Sequence, residues 1–337
     1  MAVVEYHVDL KQVQSDPQLC ALLGDEAQSA PFDRLAWWQG LAEHCGLDPL
    51  LAVARDGEAA AVLPLRRSEG GFEALANWYS FRFRPIATSP CAAPRLLESI
   101  AKSLAGRTRR LTLSGISQED NSADLLEHAF SKAGWTVFSD VCDTNHNLSV
   151  KGRSFADFLA TRPGPLRTTL RRKSGKVTTQ VLEQFDAAAW SAFEDVYRSS
   201  WKPVEGSPAF LRSFAEAEGA AGRLRLGIAR TEGKVVAAQL WTIEGGTAFI
   251  HKLAHRDDAK AMSPGTVLSA ALFAHAIDRD QVAQIDFGTG DDPYKRDWME
   301  QSRPRYRLRM LRPGYPPNWP HIARAYASRL AGRANHG

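Results

Sequence analysis

The sequence lacks the long apolar segment that a membrane-spanning helix requires. Although 44% of its residues are hydrophobic, no run approaches the ~20 consecutive apolar residues that cross a bilayer as a helix. Residues 1–10 also lack the basic start and apolar centre of a secretory signal peptide. We therefore expect a cytoplasmic protein.

Cysteine is scarce, and its spacing fits neither a disulfide framework nor the common metal motifs. The chain has four cysteines, none in a C-x-x-C pair: Cys20, Cys45, Cys91 and Cys142. Asp291 and Asp292 are adjacent, but the ligand spacing of a zinc or calcium site does not accompany them. We expect reduced thiols and no metal.

A large excess of one charge is also missing. Lysine and arginine number 42 against 38 acidic residues, which gives a net charge of +4. Nucleic-acid-binding domains usually carry a stronger positive bias, so we expect no nucleic-acid partner. Local basic clusters are more informative here than the total charge.

The sequence does contain two successive sets of short helices and strands. In the first set, apolar periodicity predicts a helix over residues 31–46, and the turns Asp56-Gly57 and Gly70-Gly71 separate three strands. The third of these strands is predicted over residues 72–79. The set is completed by helices at 94–105 and 122–133 and strands at 110–114 and 135–141.

After two short helices, the second set has the order strand, two helices, three strands, helix and strand; its last helix and strand are described below. Its predicted elements are helices at 155–161 and 165–174, a strand at 176–184, helices at 187–200 and 208–218, and strands at 223–230, 234–243 and 247–254. Because similar glycine turns recur in both sets, we predict an α/β fold with a mixed (α+β) sheet in two related lobes. The predicted division is 1–150 and 151–315, followed by a basic helix at 316–337.

The most informative stretch runs from Thr247 to Trp298. A strand leads to Ser263, which suits a helix N-cap, and to Pro264, which suits the first helical position. The helix extends to about residue 278. A helix start leaves backbone N–H groups free and favours an anion such as a phosphate. An ordinary capped helix packed on a sheet is the alternative.

Four motifs in this part of the chain resemble one enzyme superfamily. They are Ser263-Pro264-Gly265, the run DFGTGDDPYKRDW at 286–298, LRTTLRRK at 166–173 and SSWK at 199–202. Over about residues 150–311 the chain resembles the GNAT acyltransferases, and more narrowly their BioF2-like, CelD-type branch, whose relatives include the FemAB transferases. The resemblance implies tandem GNAT-like lobes in a FemAB-like architecture, with one cofactor site in the second lobe.

The resemblance further implies an acyl-CoA-dependent N-acyltransferase, in which a primary amine attacks a thioester without a covalent intermediate. An acyl carrier protein is an alternative donor. Because bacterial ceramide synthesis lies in this part of the superfamily, a long acyl chain and a sphingoid amine are the expected substrates. The alternatives are acetylation of an amino sugar, FemAB-like transfer from aminoacyl-tRNA, and a non-catalytic protein that has kept the fold.

The cofactor-binding residues are expected at the helix start and near it. Backbone N–H groups of Gly265, Thr266 and Val267, together with Ser263, would hold the pyrophosphate. Three residues at the end of the preceding strand would pair with the pantetheine amides as an added strand does: Leu253, Ala254 and His255. Arg171 would contact a phosphate.

Four residues are candidates for the chemistry, and three of them have a structural alternative. His251 titrates near neutral pH and can accept a proton, but a lone histidine in an apolar strand is commonly a core residue. Asp286 can orient the amine or act as base, or cap the glycine turn. Tyr294 can protonate the leaving thiolate, or pack as an aromatic. Lys295 can neutralise a phosphate or a substrate acid.

The amine acceptor is expected beside the acidic loop and the SSWK motif. The predicted contacts are Trp201, Lys202, Gly288, Asp291 and Asp292. The paired carboxylates can bind a positive amine, or simply keep a loop solvated.

Three further segments carry arginine. The run from Arg162 to Lys176 is predicted to contact phosphates or an anionic headgroup, or to form a solvated face. Arg303, Arg305, Arg307 and Arg309 alternate along a predicted strand, as a guarded sheet edge does. Residues 77–85 interleave aromatics with arginine, which could stack bases or line an acyl pocket, and internal packing is the default for them.

The C-terminal helix at 319–333 is basic and amphipathic. Trp319, Ile322, Ala323, Tyr326 and Leu330 share its apolar face, whereas its arginines lie elsewhere. Such a helix docks on its own domain or lies on an anionic membrane surface. Peripheral attachment to the inner membrane is therefore the alternative to a free cytoplasmic protein.

Overall fold

The computed structural model describes residues 2–334, and side chains as far as residue 327. The chain divides into two compact units. The first is built from the described parts of Met1–Gln28, Phe32–Asp143 and Pro304–Gly337, and the second from Ser29–Pro31 and Thr144–Arg303. No helix among the described residues is both long and apolar enough to cross a bilayer.

The first unit packs helices against a mixed sheet. Its helices are α1 (Leu10–Gln14), α2 (Pro17–Leu22), α3 (Leu35–Cys45), α4 (Ala93–Leu104), α5 (Ser122–Lys132) and α12 (Trp319–Ala334). Its strands are β1 (Val3–His7), β2 (Pro49–Asp56), β3 (Ala59–Ser68), β4 (Gly71–Ala74), β5 (Ile86–Ala87), β6 (Arg110–Ser117), the first part of β7 (Thr136–Ser149) and most of β13 (Gln301–Leu311).

The strand order of the first unit follows from one helical crossover. β1 to β4 are antiparallel neighbours, α4 then returns the chain so that β6 pairs parallel to β4, and β13 pairs antiparallel to β6. The apolar stripe of α4 packs on β2 and β3. This stripe includes Leu97, Ile100 and Leu104, which are fully buried.

The second unit carries the predicted site. Its helices are α6 (Phe155–Ala160), α7 (Gly164–Lys173), α8 (Ala187–Arg198), α9 (Pro208–Ala220), α10 (Pro264–Ala274) and α11 (Pro293–Trp298). Its strands are the second part of β7, then β8 (Thr178–Leu182), β9 (Leu224–Thr231), β10 (Lys234–Glu244), β11 (Thr247–His255) and β12 (Gln284–Thr289).

The second unit repeats the topology of the first. β8 to β11 are antiparallel neighbours, α10 returns the chain so that β12 pairs parallel to β11, and β7 pairs antiparallel to β12. The prediction of two related lobes in an α/β fold with a mixed sheet is therefore confirmed. The repeat is in topology, because both lobes place one crossover helix on the same meander.

Several predicted bounds are wrong. The strand predicted at 72–79 ends at Ala74, because the next aromatic residues leave the sheet to pack in the core of the first unit. Tyr79, Phe81 and Phe83 are buried there, while Trp78 is 67% exposed. The strand predicted at 135–141 continues to Ser149, and α11 forms where a loop was expected.

The chain returns to the first unit after residue 303, which differs from the predicted division at 151–315 and 316–337. β13 is an interior strand, so its arginines do not guard an edge. A register shift between Tyr306 and Leu308 breaks the alternation. As a result Arg305 is 2% exposed and ion-paired with Glu119 at 2.8 Å.

The C-terminal helix docks on the first unit. Ala325 is 7% exposed in a small cluster with Phe138 and Leu311, and the ring of Tyr326 meets Phe138 at a centroid distance of 5.3 Å. Ile322 packs against the same cluster. The predicted apolar face is thus rotated, since Ala323 is exposed; the side chains of Leu330, Arg329 and Arg333 lie outside the described part of the chain.

Candidate functional site

The predicted donor strand has an unpaired edge. β11 pairs with β12 only over Thr247–Phe249, against Gln284–Asp286. From Ile250 to His255 no second strand pairs with this edge in the part of the chain that the structure describes. An edge of this kind offers backbone N–H and C=O groups to an extended ligand that carries amides.

A bulge shapes this part of β11. Lys252 faces Leu240 and Ile250 faces Trp241, so His251 is the extra residue opposite β10. Its Nε2 lies 2.8 Å from the Thr242 hydroxyl, and its ring meets Phe214 at a centroid distance of 5.0 Å. These contacts favour the structural interpretation of His251, because its Nε2 already has a partner within the protein.

The start of α10 follows the open edge. Ser263 adopts a left-handed conformation with φ of 50° and makes no side-chain capping bond, contrary to the predicted N-cap role. Val267 is not free either, because its N–H donates to the Ser263 carbonyl at 3.2 Å. Gly265 and Thr266 keep N–H groups with no hydrogen-bond partner among the described residues.

Gln239 fixes the position of this helix start. Its side-chain nitrogen donates to the Gly265 carbonyl at 3.1 Å and to Ser269 Oγ at 2.8 Å, while its oxygen accepts from the Trp241 indole at 2.9 Å. Gln239 is 1% exposed. A buried, fully bonded amide of this kind holds the first turn of α10 rigidly against β10.

A line of contacts joins the helix start to the acidic loop. A Cβ on Gly265 would lie 3.3 Å from His255 Cδ2, and the His255 ring meets Trp201 at a centroid distance of 4.3 Å. The Lys202 ammonium then lies 5.2 Å from the Trp201 ring and 5.8 Å from the Tyr294 ring. The structure thus brings together residues that were predicted separately for cofactor and substrate.

Tyr294 is held in its protonated form. Its ring packs edge-on against Phe287 at 5.6 Å, and its hydroxyl donates to Asp292. Burial, with the charge and hydrogen bond of Asp292, raises the pKa of Tyr294 well above its usual range. A phenol kept protonated in this way can act as a proton donor throughout the neutral range.

Lys202 is a partly buried cation. Burial lowers the pKa of its ammonium, the charge of Asp292 acts in the opposite direction, and Lys252 lowers it further. Trp201 beside it is 48% exposed. The SSWK motif therefore places an exposed aromatic ring and a half-buried charge between the helix start and Tyr294.

Asp286 and Lys295 hold the shape of the glycine turn. Asp286 Oδ1 accepts from the Gly288 N–H at 2.8 Å and from Asn145 Nδ2 at 2.7 Å. Lys295 is 4% exposed, donates to the Thr289 carbonyl and lies 5.5 Å from the Phe287 ring. The contacts of Asp286 support its capping alternative, and those of Lys295 show that its ammonium already binds the protein backbone.

Asp291 has a partner that the sequence analysis missed. His146 Nε2 lies 2.9 Å from Asp291 Oδ1, and Arg296 also donates to this carboxylate. The hydrogen bond from Arg296 has the largest effect and that with His146 the next largest, and together they hold the pKa of Asp291 below its usual range. His146 lies on β7, far away in sequence, and only the polar run Thr144-Asn145-His146-Asn147 within a strand hinted at a site there.

The remaining predicted cofactor residues lie on β11 and on α7. Leu253 and Ala254 belong to the open end of β11, where Ala254 is buried and Leu253 partly buried. Arg171 is exposed on α7, which packs against α10. Arg162, from the same basic run, is buried at 8% exposure and paired with Glu300, so it does not belong to that surface.

The open edge and the helix start suit an extended ligand that carries amides and a phosphate group. The open edge can pair with amides, and two N–H groups at a rigid helix start can face a pyrophosphate. Gly265 is also tightly placed, since any side chain there would press on His255. No group of three potential metal ligands occurs within the described residues.

One family model matches part of the second unit. Residues 165–296 match the model described as an acetyltransferase (GNAT) domain. This range spans α7 to α11 and includes the helix start and the acidic loop. No protein of curated function matches the sequence.

Solved structures match almost the whole chain at low sequence identity. The C-terminal domain of a putative lysylphosphatidylglycerol synthetase from Agrobacterium fabrum is 14% identical, with 96% of each chain covered and a TM-score of 0.60. FemX is 11% identical, with 90% and 96% covered and a TM-score of 0.58.

A tandem GNAT protein from clavulanic acid biosynthesis gives a weaker match, 11% identical, with 91% of this chain and 98% of that chain covered and a TM-score of 0.52. At these identities the likeness is one of fold. The fold of tandem GNAT-like lobes in a FemAB-like architecture, which the resemblance implies, is confirmed.

Proposed function

We propose that the second unit transfers an acyl group from a coenzyme A thioester to a primary amine. The observation that carries this proposal is the open edge of β11, which leads directly to the rigid start of α10. The pantetheine amides would pair with β11 between Ile250 and His255. The pyrophosphate would accept hydrogen bonds from Gly265 and Thr266.

The bond changes balance without a covalent enzyme intermediate. The unprotonated amine attacks the carbonyl carbon, a C–N bond forms and the C–S bond breaks. Tyr294 gives its hydroxyl proton to the departing thiolate. Asp292, which accepts a hydrogen bond from Tyr294, takes the proton that the amine nitrogen loses, so the pair returns to its starting state through solvent exchange.

Three features speak for a short acyl group. The GNAT model matched by residues 165–296 is described as an acetyltransferase domain. Tyr79, Phe81 and Phe83 from the aromatic segment at 77–85 are buried in the first unit, and the C-terminal helix docks on that unit, so most of their apolar surface is used within the protein. Nothing in the compared proteins supports a ceramide-type product, and a sphingoid acceptor with a long-chain donor is the alternative pair of substrates.

Donor binding is tested first with Gly265→Val. Its side chain would press on His255 and displace the first turn of α10, so we expect the Kd for coenzyme A to rise about tenfold or more, a loss of ~1.4 kcal/mol or more. Isothermal titration calorimetry measures it. The control is Gly175→Val, where no atom lies within 4 Å of the new Cβ. An unchanged Kd for coenzyme A in Gly265→Val would show that the donor does not bind at the start of α10.

The length of the acyl group is tested by thermal shift with coenzyme A, acetyl-CoA and palmitoyl-CoA. A ligand at 100 times its Kd stabilises the folded state by about 2.7 kcal/mol. We expect equal shifts for coenzyme A and acetyl-CoA. A distinctly larger shift with palmitoyl-CoA would restore the long-chain substrate, and no shift with any of the three would contradict a coenzyme A donor.

An aminoacyl-tRNA donor is the second candidate, and a specific surface favours it. Four basic residues on and after α7 are exposed and form no ion pair among the described residues: Arg167, Arg171, Arg172 and Lys176. The likeness to FemX and to the lysylphosphatidylglycerol synthetase domain is consistent with it. It predicts tRNA binding that weakens steeply with salt and that an Arg171→Gln, Arg172→Gln double variant reduces.

A further inference from the structure

A cavity of about 240 Å³ opens between α8 and α9 in the second unit. Its apolar wall comes from Trp190, Phe193 and Leu211, which are 1–3% exposed. Tyr197, Lys202 and Glu205 supply its polar wall. The volume is below the roughly 300–1,000 Å³ of sites for drug-sized ligands, so this cavity suits a small molecule.

One acidic side chain of the cavity is already neutralised. Glu205 is ion-paired with the Lys252 ammonium at 2.7 Å and accepts a hydrogen bond from the Tyr197 hydroxyl. The same burial and interaction with Glu205 raise the pKa of Tyr197 above its usual range. The charge of Glu205 is therefore balanced by Lys252, and the hydrogen-bonded Tyr197 adds no charge.

Apart from Lys202, the other charged residues that line the cavity also have polar partners within the protein. Glu194 accepts the indole N–H of Trp190 at 2.8 Å, and Arg198 has a 74% exposed side chain that pairs with Asp195 at 3.6 Å. Among the described residues the Lys202 ammonium forms no ion pair within 4 Å, although the charge of Asp292 acts on it from further away. A half-buried cation without an ion pair is costly, and a ligand anion would offset that cost.

We propose that this cavity is a subsite for a carboxylate carried on an apolar body, with the carboxylate on Lys202 and the body against Trp190 and Phe193. Lys202 also contacts Trp201 and Tyr294, so the subsite adjoins the proposed reaction centre. This assignment rests on the proposed acyl transfer, in which the carboxylate would belong to one of the two reactants. Its source is the amine acceptor or the acyl group of the donor.

The cavity is tested without any donor, by calorimetric titration of 4-phenylbutyrate and of the neutral 4-phenylbutanamide. We expect the acid to bind at least about tenfold more tightly than the amide. In Lys202→Met this preference disappears, whereas it persists in Lys176→Met, which removes an exposed lysine outside the cavity. Equal binding of acid and amide to the unaltered protein, or an unchanged preference in Lys202→Met, would overturn the subsite.

The source of the carboxylate is tested by turnover. With acetyl-CoA, a preference for 6-aminohexanoate over hexylamine that Lys202→Met abolishes assigns the carboxylate to the acceptor. A Lys202-dependent preference for succinyl-CoA over acetyl-CoA assigns it to the acyl group. Turnover with neither preference overturns a reactant subsite. Carboxylate binding without any turnover leaves the cavity in place and contradicts the proposed acyl transfer instead.

Discussion

Replacing Tyr294 by phenylalanine is expected to lower kcat by roughly 10²–10⁴-fold, the range that positioned general acids contribute. The substitution removes the hydroxyl that donates to Asp292 and leaves the ring against Phe287. Because the thiolate must then leave unprotonated, the loss falls on turnover and not on the Kd for coenzyme A. Release of free thiol and calorimetric binding measure the two quantities separately.

The pH dependence of turnover follows from the same contacts. Burial and Asp292 raise the pKa of Tyr294, so the hydroxyl stays protonated at neutral and moderately alkaline pH. We therefore expect no loss of kcat from tyrosine ionisation up to about pH 10, the pKa of an unperturbed tyrosine. The matched control is Tyr6→Phe, which removes a hydrogen-bonded hydroxyl in the first unit. Normal turnover in Tyr294→Phe would dismiss this residue as the acid.

Replacing Phe273 by alanine is expected to destabilise the second unit by about 3–5 kcal/mol. Phe273 is fully buried on α10, stacked on Phe158 at 5.4 Å and on Trp298 at 4.6 Å, with Trp241 edge-on at 5.2 Å. Three elements around the site thus share one ring. Denaturant unfolding, followed by tryptophan fluorescence, measures the change in the free energy of unfolding.

The conservative variant Phe273→Leu shows whether the loss of stability comes from missing packing or from a disrupted fold. It fills most of the cavity that alanine leaves, so most of the stability should return. Coenzyme A affinity should be nearly normal in this variant, because Gln239 and not Phe273 fixes the Gly265 carbonyl. A loss below about 1 kcal/mol in Phe273→Ala would mean that the cluster relaxes around the gap.

Local signals in the sequence determined most of the architecture. Glycine turns such as Asp56-Gly57 and Gly245-Gly246 divide the strands, and Pro264 marks the start of α10 where a helix was predicted. These signals act over a few residues, so they survive in any tertiary context. The order of elements they give is the order of two GNAT-like lobes, and the structure has that order in both units.

The chemistry of the site was decided by contacts between distant segments. His146 and Asp291 meet across 145 residues, and Glu205 is neutralised by Lys252 from another strand. No local pattern predicts such pairs, because they exist only after the sheet register is set. In the folded protein His251, Asp286 and Lys295 are hydrogen-bonded to other protein groups, although their residue types alone suited catalysis.

The sequence by itself therefore determined the fold class, the repeat and the segment that carries the candidate site. Only the tertiary structure decided which of the candidate side chains remain available to a ligand. The physical reason is that propensity and turn chemistry are local, whereas burial, ion pairing and the end of strand pairing at Phe249 depend on neighbours that the chain brings from far away.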